Sequence, residues 1–108
     1  MTESIEFAKA VADETRQGIM SLLCCRWLCV SDIVEQVGGI SQPTVSHHLA
    51  VLREANLVYT RREGKQVFYS LNQDEVMMCC GLLMRNFAPE RAVGSVQLPV
   101  VADESRDC

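Results

Sequence analysis

The sequence predicts a mainly α-helical fold with a single β-hairpin, on three observations. Two short amphipathic segments, 31–37 and 41–54, are joined by the tight link Gly38-Gly39-Ile40. After Asn56 the helical period gives way to alternation, in the runs LVYTRR and QVFYSL around Glu63-Gly64-Lys65. From Gln73 to Ala88 the helical period returns. A glycine-containing turn between two helices is a helix-turn-helix, and a hairpin directly behind it is a wing. The expected fold is a winged helix-turn-helix that dimerises through its terminal helices.

Composition limits the function classes. The 108 residues suit one domain, assigned to 1–92, with an aperiodic stretch from 93 to 108 that reads as a flexible tail. No run approaches the roughly 20 apolar residues of a membrane span, and Met1 is not followed by a leader-like segment, so a cytoplasmic protein is expected. In that compartment the six cysteines read as reduced thiols, metal ligands or buried small hydrophobes rather than disulfides. Net charge is −4, yet 41–72 holds four basic residues against two acidic ones, a net of +2 that leaves −6 elsewhere. A basic reading face on an acidic body favours one docking orientation on a polyanion.

In chain order, Ile5, Ala8 and Val11 or Ala12 mark a short first helix that packs on a partner. Asp13 caps a second helix whose apolar face is Ile19, Leu22 and Leu23, and which frays at Cys24 and Cys25. Ser31 is the expected cap of the third, with Ile33, Val34 and Val37 buried and Gly38-Gly39 ending it. Ser41 caps the fourth, and Pro43 sits in its first turn, where a missing N–H does no harm. Val45, Leu49 and Leu52 form the apolar stripe of this helix. Gln42, Thr44, Ser46 and His47 lie off the stripe and are uncharged hydrogen-bonding residues, where an ordinary surface helix carries Glu and Lys. Such a face can read bases, while Arg61, Arg62 and Lys65 near the hairpin tip are placed to meet phosphate or a minor groove. An ordinary solvated hairpin remains the plainer alternative. In the last helix Val76, Cys80, Leu83 and Phe87 form an expected seam, and Met77, Met78, Leu82 and Met84 widen its apolar surface toward a second subunit. A two-fold dimer would set its reading helices about 34–36 Å apart on a near-palindromic site.

The segments LCVSDI (28–33), SQPTVSHHLAVLREANLV (41–58) and REGKQVFYSL (62–71) resemble the arsenic- and metal-responsive repressor family ArsR/SmtB. The resemblance spans roughly Phe7 to Phe87, and its motifs are specific in combination: S-Q-x-x-V-S-x-H-L-x-x-L-R at 41–53, then L-V and R-x-G-K. It implies a dimeric repressor that binds its operator when unliganded, needs no cofactor to do so, and releases it on binding an inducer. The family's recognition positions fall on Gln42, Thr44, Ser46 and His47, and its wing basics on Arg62 and Lys65. His48 matches the family histidine, with helix packing or phosphate facing as open as base contact.

The sensor departs from the family. Where many arsenic sensors carry L-C-V-C-D, this chain reads Leu28-Cys29-Val30-Ser31-Asp32, so one of the two cysteines is missing. The zinc and nickel sites of relatives use histidines near the last helix, whereas His47 and His48 here lie in the reading helix. Persulfide-sensing relatives use a cysteine pair at places occupied here by Ser21 and about Ala88. Cys24, Cys25 and Cys29 remain, three thiols within six positions, suited to soft As(III) or Sb(III), with Arg26 beside them to favour thiolate. Their alternative is plain core packing. Cys79 and Cys80, with Cys108 of the tail, are a second candidate set, although helical neighbours point about 100° apart. Oxidation of Cys24 with Cys25 is a redox alternative on the same scaffold. A cytosolic soft-metal buffer is the reading of another class, and the absence of a C-x-x-C motif or a supportable cysteine–histidine pair argues against an enzyme.

Overall fold

The structure is a computed structural model describing residues 2–91, with side chains over 4–90. Five helices and a three-stranded sheet follow in the order α1 (Thr2–Val11), α2 (Glu14–Leu22), β1 (Leu28–Cys29), α3 (Val30–Val37), α4 (Gln42–Glu54), β2 (Val58–Glu63), β3 (Gln66–Leu71) and α5 (Gln73–Phe87), then a 3-10 turn at Pro89–Arg91. The sheet is antiparallel with strand order β1-β3-β2. The predicted winged helix-turn-helix is the observed architecture. The tail from 93 onward, Cys108 included, lies outside the described residues.

Caps decide where the helices start. Asp13 is extended, and its carboxylate accepts from Arg16 N at 2.9 Å, satisfying a backbone donor that has no partner inside α2. Ser41 does the same for Thr44 N at a longer 3.4 Å. The expected cap Ser31 does not act as one. Helix α3 begins two residues earlier, at Val30, with Cys29 in the cap position and no side-chain cap bond. The reason is the unforeseen strand β1: Leu28 pairs with Tyr69 and Cys29 with Phe68, and this pairing fixes the chain in extended form up to the helix start.

The core gathers Phe7, Ile19, Leu23, Ile33, Val45, Leu49, Leu52 and Leu57 from α1 to the start of β2, together with Tyr69 and Cys79. Ile5 faces away from it, and Phe7 and Ala10 take the inward positions of α1. The expected α5 seam holds at Val76 and Leu83 and fails at Cys80 and Phe87. Cys79 is buried at 1% exposure while Cys80 is exposed and Phe87 is 79% exposed, so Val76, Cys79 and Leu83 meet the core. Phe87, Met77 and Met78 stand outside it with Ile5. Among the described residues, no helix is long and apolar enough to cross a membrane.

Candidate DNA interface and thiol junction

Helix α4 is presented by the turn before it. Gly38 (φ 73°) and Gly39 (φ 72°) both take positive φ, a conformation side chains resist, and let the chain reverse in three residues. Burial of Val45, Leu49 and Leu52 then fixes which side of α4 turns inward. Gln42, Thr44, Ser46 and His47 are left exposed on the other side, all four where the sequence predicted them. Two hydroxyls are already engaged, since Ser41 Oγ donates to Thr44 Oγ1 at 3.0 Å.

The hairpin is in full register from Val58↔Leu71 to Glu63↔Gln66, which leaves Gly64 and Lys65 as a two-residue turn. Gly64 supplies the positive φ that the turn needs. Arg61 is not a free wing cation. Its Nε bonds Glu63 at 3.1 Å, and its guanidinium lies 4.5 Å from the Trp27 ring centre. Arg62 and Lys65 have no ion-pair partner among the described residues and are exposed. A cavity of about 320 Å³ runs from Cys29 and Ser31 past Gln42 to Lys65 and Gln66, joining the start of α3, the start of α4 and the wing tip.

The thiols divide into two places. Leu23 to Cys25 form a turn after α2, with Cys25 at φ 72°. The sulfurs of Cys24 and Cys25 lie 3.5 Å apart, and Gln73 Nε2, in the first turn of α5, donates to them at 2.9 and 3.5 Å. Cys29 is buried and extended, and its thiol contacts Asp32 Oδ2 and Ser31 Oγ, each at 3.3 Å. Cys25 and Cys29 are not on one helical face, because neither is helical. Among the described residues no three His, Cys, Asp or Glu side chains are placed to hold a metal ion. Arg26 is turned away from the sulfurs, donating to the Leu22 carbonyl and to Gln36 Oε1. In the second set, Cys79 Sγ contacts Glu75 Oε2 at 3.6 Å inside the core, while Cys80 is outside it and burial pushes its thiol pKa up. Vicinal position therefore does not bring Cys79 and Cys80 to a common point.

Sequence reasoning missed Gln73 and the contact between Arg16 and His48, 3.1 Å from guanidinium to Nδ1. No local pattern announces either. Both join segments more than 30 residues apart in the chain.

A capped helix with an uncharged polar face, set beside a basic hairpin by a glycine turn, defines a winged helix-turn-helix DNA-binding domain. Residues 13–60 match the model of the bacterial regulatory protein, arsR family. The chain belongs to that family. It is 46% identical over 69 residues to the arsenical resistance operon repressor of Escherichia coli, covering 63% of this chain and 58% of that protein. It spans only about half the length of other curated relatives, 55% and 54% in two cases. Among solved structures, NolR from Sinorhizobium fredii superimposes with a TM-score of 0.65 at 34% identity, over 80% of this chain and 85% of that one. The homodimeric winged helix-turn-helix DNA-binding domain Mb0332 of Mycobacterium bovis gives 0.65 at 28% identity, over 82% and 81%. The Escherichia coli relative is named as a repressor, and Mb0332 as a possible transcriptional regulator of the same family.

Proposed function

We propose that the chain is a homodimeric transcriptional repressor that reads a near-palindromic operator and leaves it when a soft inducer binds its thiols. Gln42, Thr44, Ser46 and His47 contact base edges, Ser41 holds the start of the helix, and Arg62 and Lys65 meet the phosphate backbone. The observation that carries this reading is the exposed, uncharged polar face of α4 beside unpaired wing cations. The exposed apolar residues of α1 and α5, Ile5, Met77, Met78 and Phe87, supply the dimer surface.

The inducer is As(III), Sb(III) or another thiophilic ion, taken by Cys24, Cys25 and Cys29. In the fully reduced protein the sulfurs of Cys24 and Cys25 bind first, and recruitment of Cys29 requires β1 and the start of α3 to move. That requirement is the switch: Cys29 is the cap residue of α3, and α3 leads through the glycine turn into α4. A coupling of about 1–3 kcal/mol changes operator affinity roughly 5–150-fold. Binding at Cys79, Cys80 and Cys108 is the lesser candidate, given the burial of Cys79. The relation to an arsenical resistance repressor supports the metalloid.

A redox reading is favoured by a separate observation, the 3.5 Å approach of the Cys24 and Cys25 sulfurs. Two-electron oxidation of the reduced pair by peroxide would join them in a strained vicinal disulfide and yield water. One experiment separates the readings. Fluorescence anisotropy of fully reduced protein on DNA from its own promoter is titrated with arsenite and with hydrogen peroxide, in wild type and in the C24S, C25S and C29S variants. Arsenite release that the substitutions abolish supports the metalloid switch, and thiol-reversible release by peroxide alone supports the redox switch. Absence of sequence-specific binding would leave a soft-metal buffer instead.

A further inference from the structure

Arg16 touches three elements while carrying no part of the reading face or the thiol junction. Its Nε donates to the Ala10 carbonyl at 2.6 Å and its Nη2 to the Lys9 carbonyl at 3.4 Å, in the last turn of α1. The Lys9 carbonyl also accepts from Ala12 N at 3.4 Å, and a cation is favourable beside the carbonyls of a last helical turn. Its Nη1 donates to His48 Nδ1 on α4 at 3.1 Å. Its own backbone N–H bonds the Asp13 cap, whose second oxygen is 3.8 Å from Nη1. That backbone bond, more than the charge of Arg16, holds the Asp13 carboxyl below its usual pKa.

A guanidinium has five donors and no acceptor. His48 Nδ1 must therefore present a lone pair, which makes the imidazole neutral with its proton on Nε2. His48 follows Ser46 and His47 of the exposed face and precedes Leu49, which is 1% exposed. The contact thus grips α4 at the boundary between its buried and reading sides.

We infer that Arg16 and His48 are a positioning pair that fixes the reading helix relative to α1, so that operator affinity depends on His48 Nδ1 remaining an acceptor. This rests on the reading of α4 as the DNA-contacting helix. The apolar stripe of α4 sets which side is buried, but apolar contact is non-directional and permits small rotation and sliding. A hydrogen bond to a charged donor is directional and resists both. α1 packs along α5, the two helices that carry the exposed apolar surface, so the pair ties the placement of α4 to the dimer frame. Two half-sites read at once demand that frame be fixed.

Acidification attacks the pair directly. Protonation of Nδ1 removes the acceptor and sets an imidazolium against the guanidinium. Asp13 at the start of α2 offsets part of that repulsion; in the cavity that Arg16 lines, Lys9 of α1 adds to the positive charge, while Glu6 of α1 and Glu54 of α4 counter it. His47 stands on the DNA side of this contact, its ring centre 5.8 Å from that of His48.

The test measures operator affinity by anisotropy, with thermal melts, for full-length wild type and the H48N, H48L and R16K variants. Asn places an acceptor near the Nδ1 position and does not titrate, Leu offers no acceptor, and Lys lacks the fork that reaches α1 and α4 together. H48L and R16K are expected to bind the operator about tenfold more weakly at neutral pH, the scale of one hydrogen bond to a charged group, with binding to unrelated DNA unchanged. H48N is expected to stay within about twofold of wild type. As pH is lowered, wild type should lose affinity relative to H48N, a comparison in which His47 cancels. If H48L melts early, the wild-type and H48N pH profiles still decide. Superimposed profiles, or H48L and R16K binding as wild type does, overturn the pair. If wild type itself does not prefer its operator, the reading of α4 falls and takes the pair with it; if it does and the variants match it, the pair alone falls.

Discussion

Two junctions reverse the chain between helices, one ahead of α3 through Leu23–Leu28 and one ahead of α4 through Gly38–Ser41, and both pass through positive φ. They achieve it by opposite means. The second uses two glycines, exposed and with open space where a Cβ would stand. The first places Cys25 at φ 72°, a conformation that costs an L-residue roughly 1–2 kcal/mol. What holds the first junction is anchoring. Leu23 is fully buried, and its carbonyl accepts from Leu71 N at 3.0 Å and Ser70 Oγ at 3.5 Å in β3. The glycine turn has only Ile40, partly buried, as its apolar anchor. One junction is relaxed and lightly held, and the other is strained and tightly held. A switch that must store energy until a thiol reacts belongs in the second kind, and a presenter of a reading helix in the first.

The largest break of this contrast is expected from Leu23→Ala. Truncating a fully buried leucine at the anchor should cost about 3 kcal/mol in urea unfolding, while Ile40→Ala should cost about 1 kcal/mol. Equal losses would mean that the two turns are held alike. Next in size is Gly38→Ala. Gly38 combines φ 73° with ψ 144°, close to a region that only glycine occupies, so the variant should lose about 2 kcal/mol although nothing crowds the added methyl. A loss confined to a few tenths would show that the turn adapts. Smaller again is Ser41→Ala. Its cap bond is long at 3.4 Å, so a cost of about 0.5–1 kcal/mol is expected by the same measurement.

The same contrast explains what was legible in the sequence. Caps, glycines and alternation are local signals, and through them α2, α4 and the hairpin appear close to where they stand. The exposed face of Gln42, Thr44, Ser46 and His47 followed from the stripe of Val45, Leu49 and Leu52, because burial of one side of a helix fixes the other. The thiol junction was read wrongly in geometry because its shape is set at a distance. β1 exists only through pairing with Tyr69 and Phe68, some 40 residues on, and that pairing holds Cys29 in extended chain and displaced Ser31 from the cap. Likewise the α5 seam moved from Cys80 to Cys79, since a period tolerates a one-residue shift and only the docked partner α1 decides it. Arg61 looked like wing chemistry until Trp27 came to lie against it.

The smallest expected effect tests the strain itself. Cys25→Gly frees the backbone but also deletes a sulfur, so its stability alone is ambiguous. Cys25→Ser deletes the sulfur and keeps the Cβ, and hence the strained φ. The difference between the two variants isolates the conformational cost, less the extra freedom glycine gives the unfolded chain, and a net advantage of about 0.5–1 kcal/mol for glycine is expected. Urea unfolding of both under reducing conditions measures it. If glycine shows no advantage, the turn at Cys25 is not strained, and any motion there on thiol ligation must be driven by the new bonds alone. If the advantage is present, ligation is assisted, since part of the work of moving β1 and the cap of α3 is already stored in one residue between the thiol pair and the anchor.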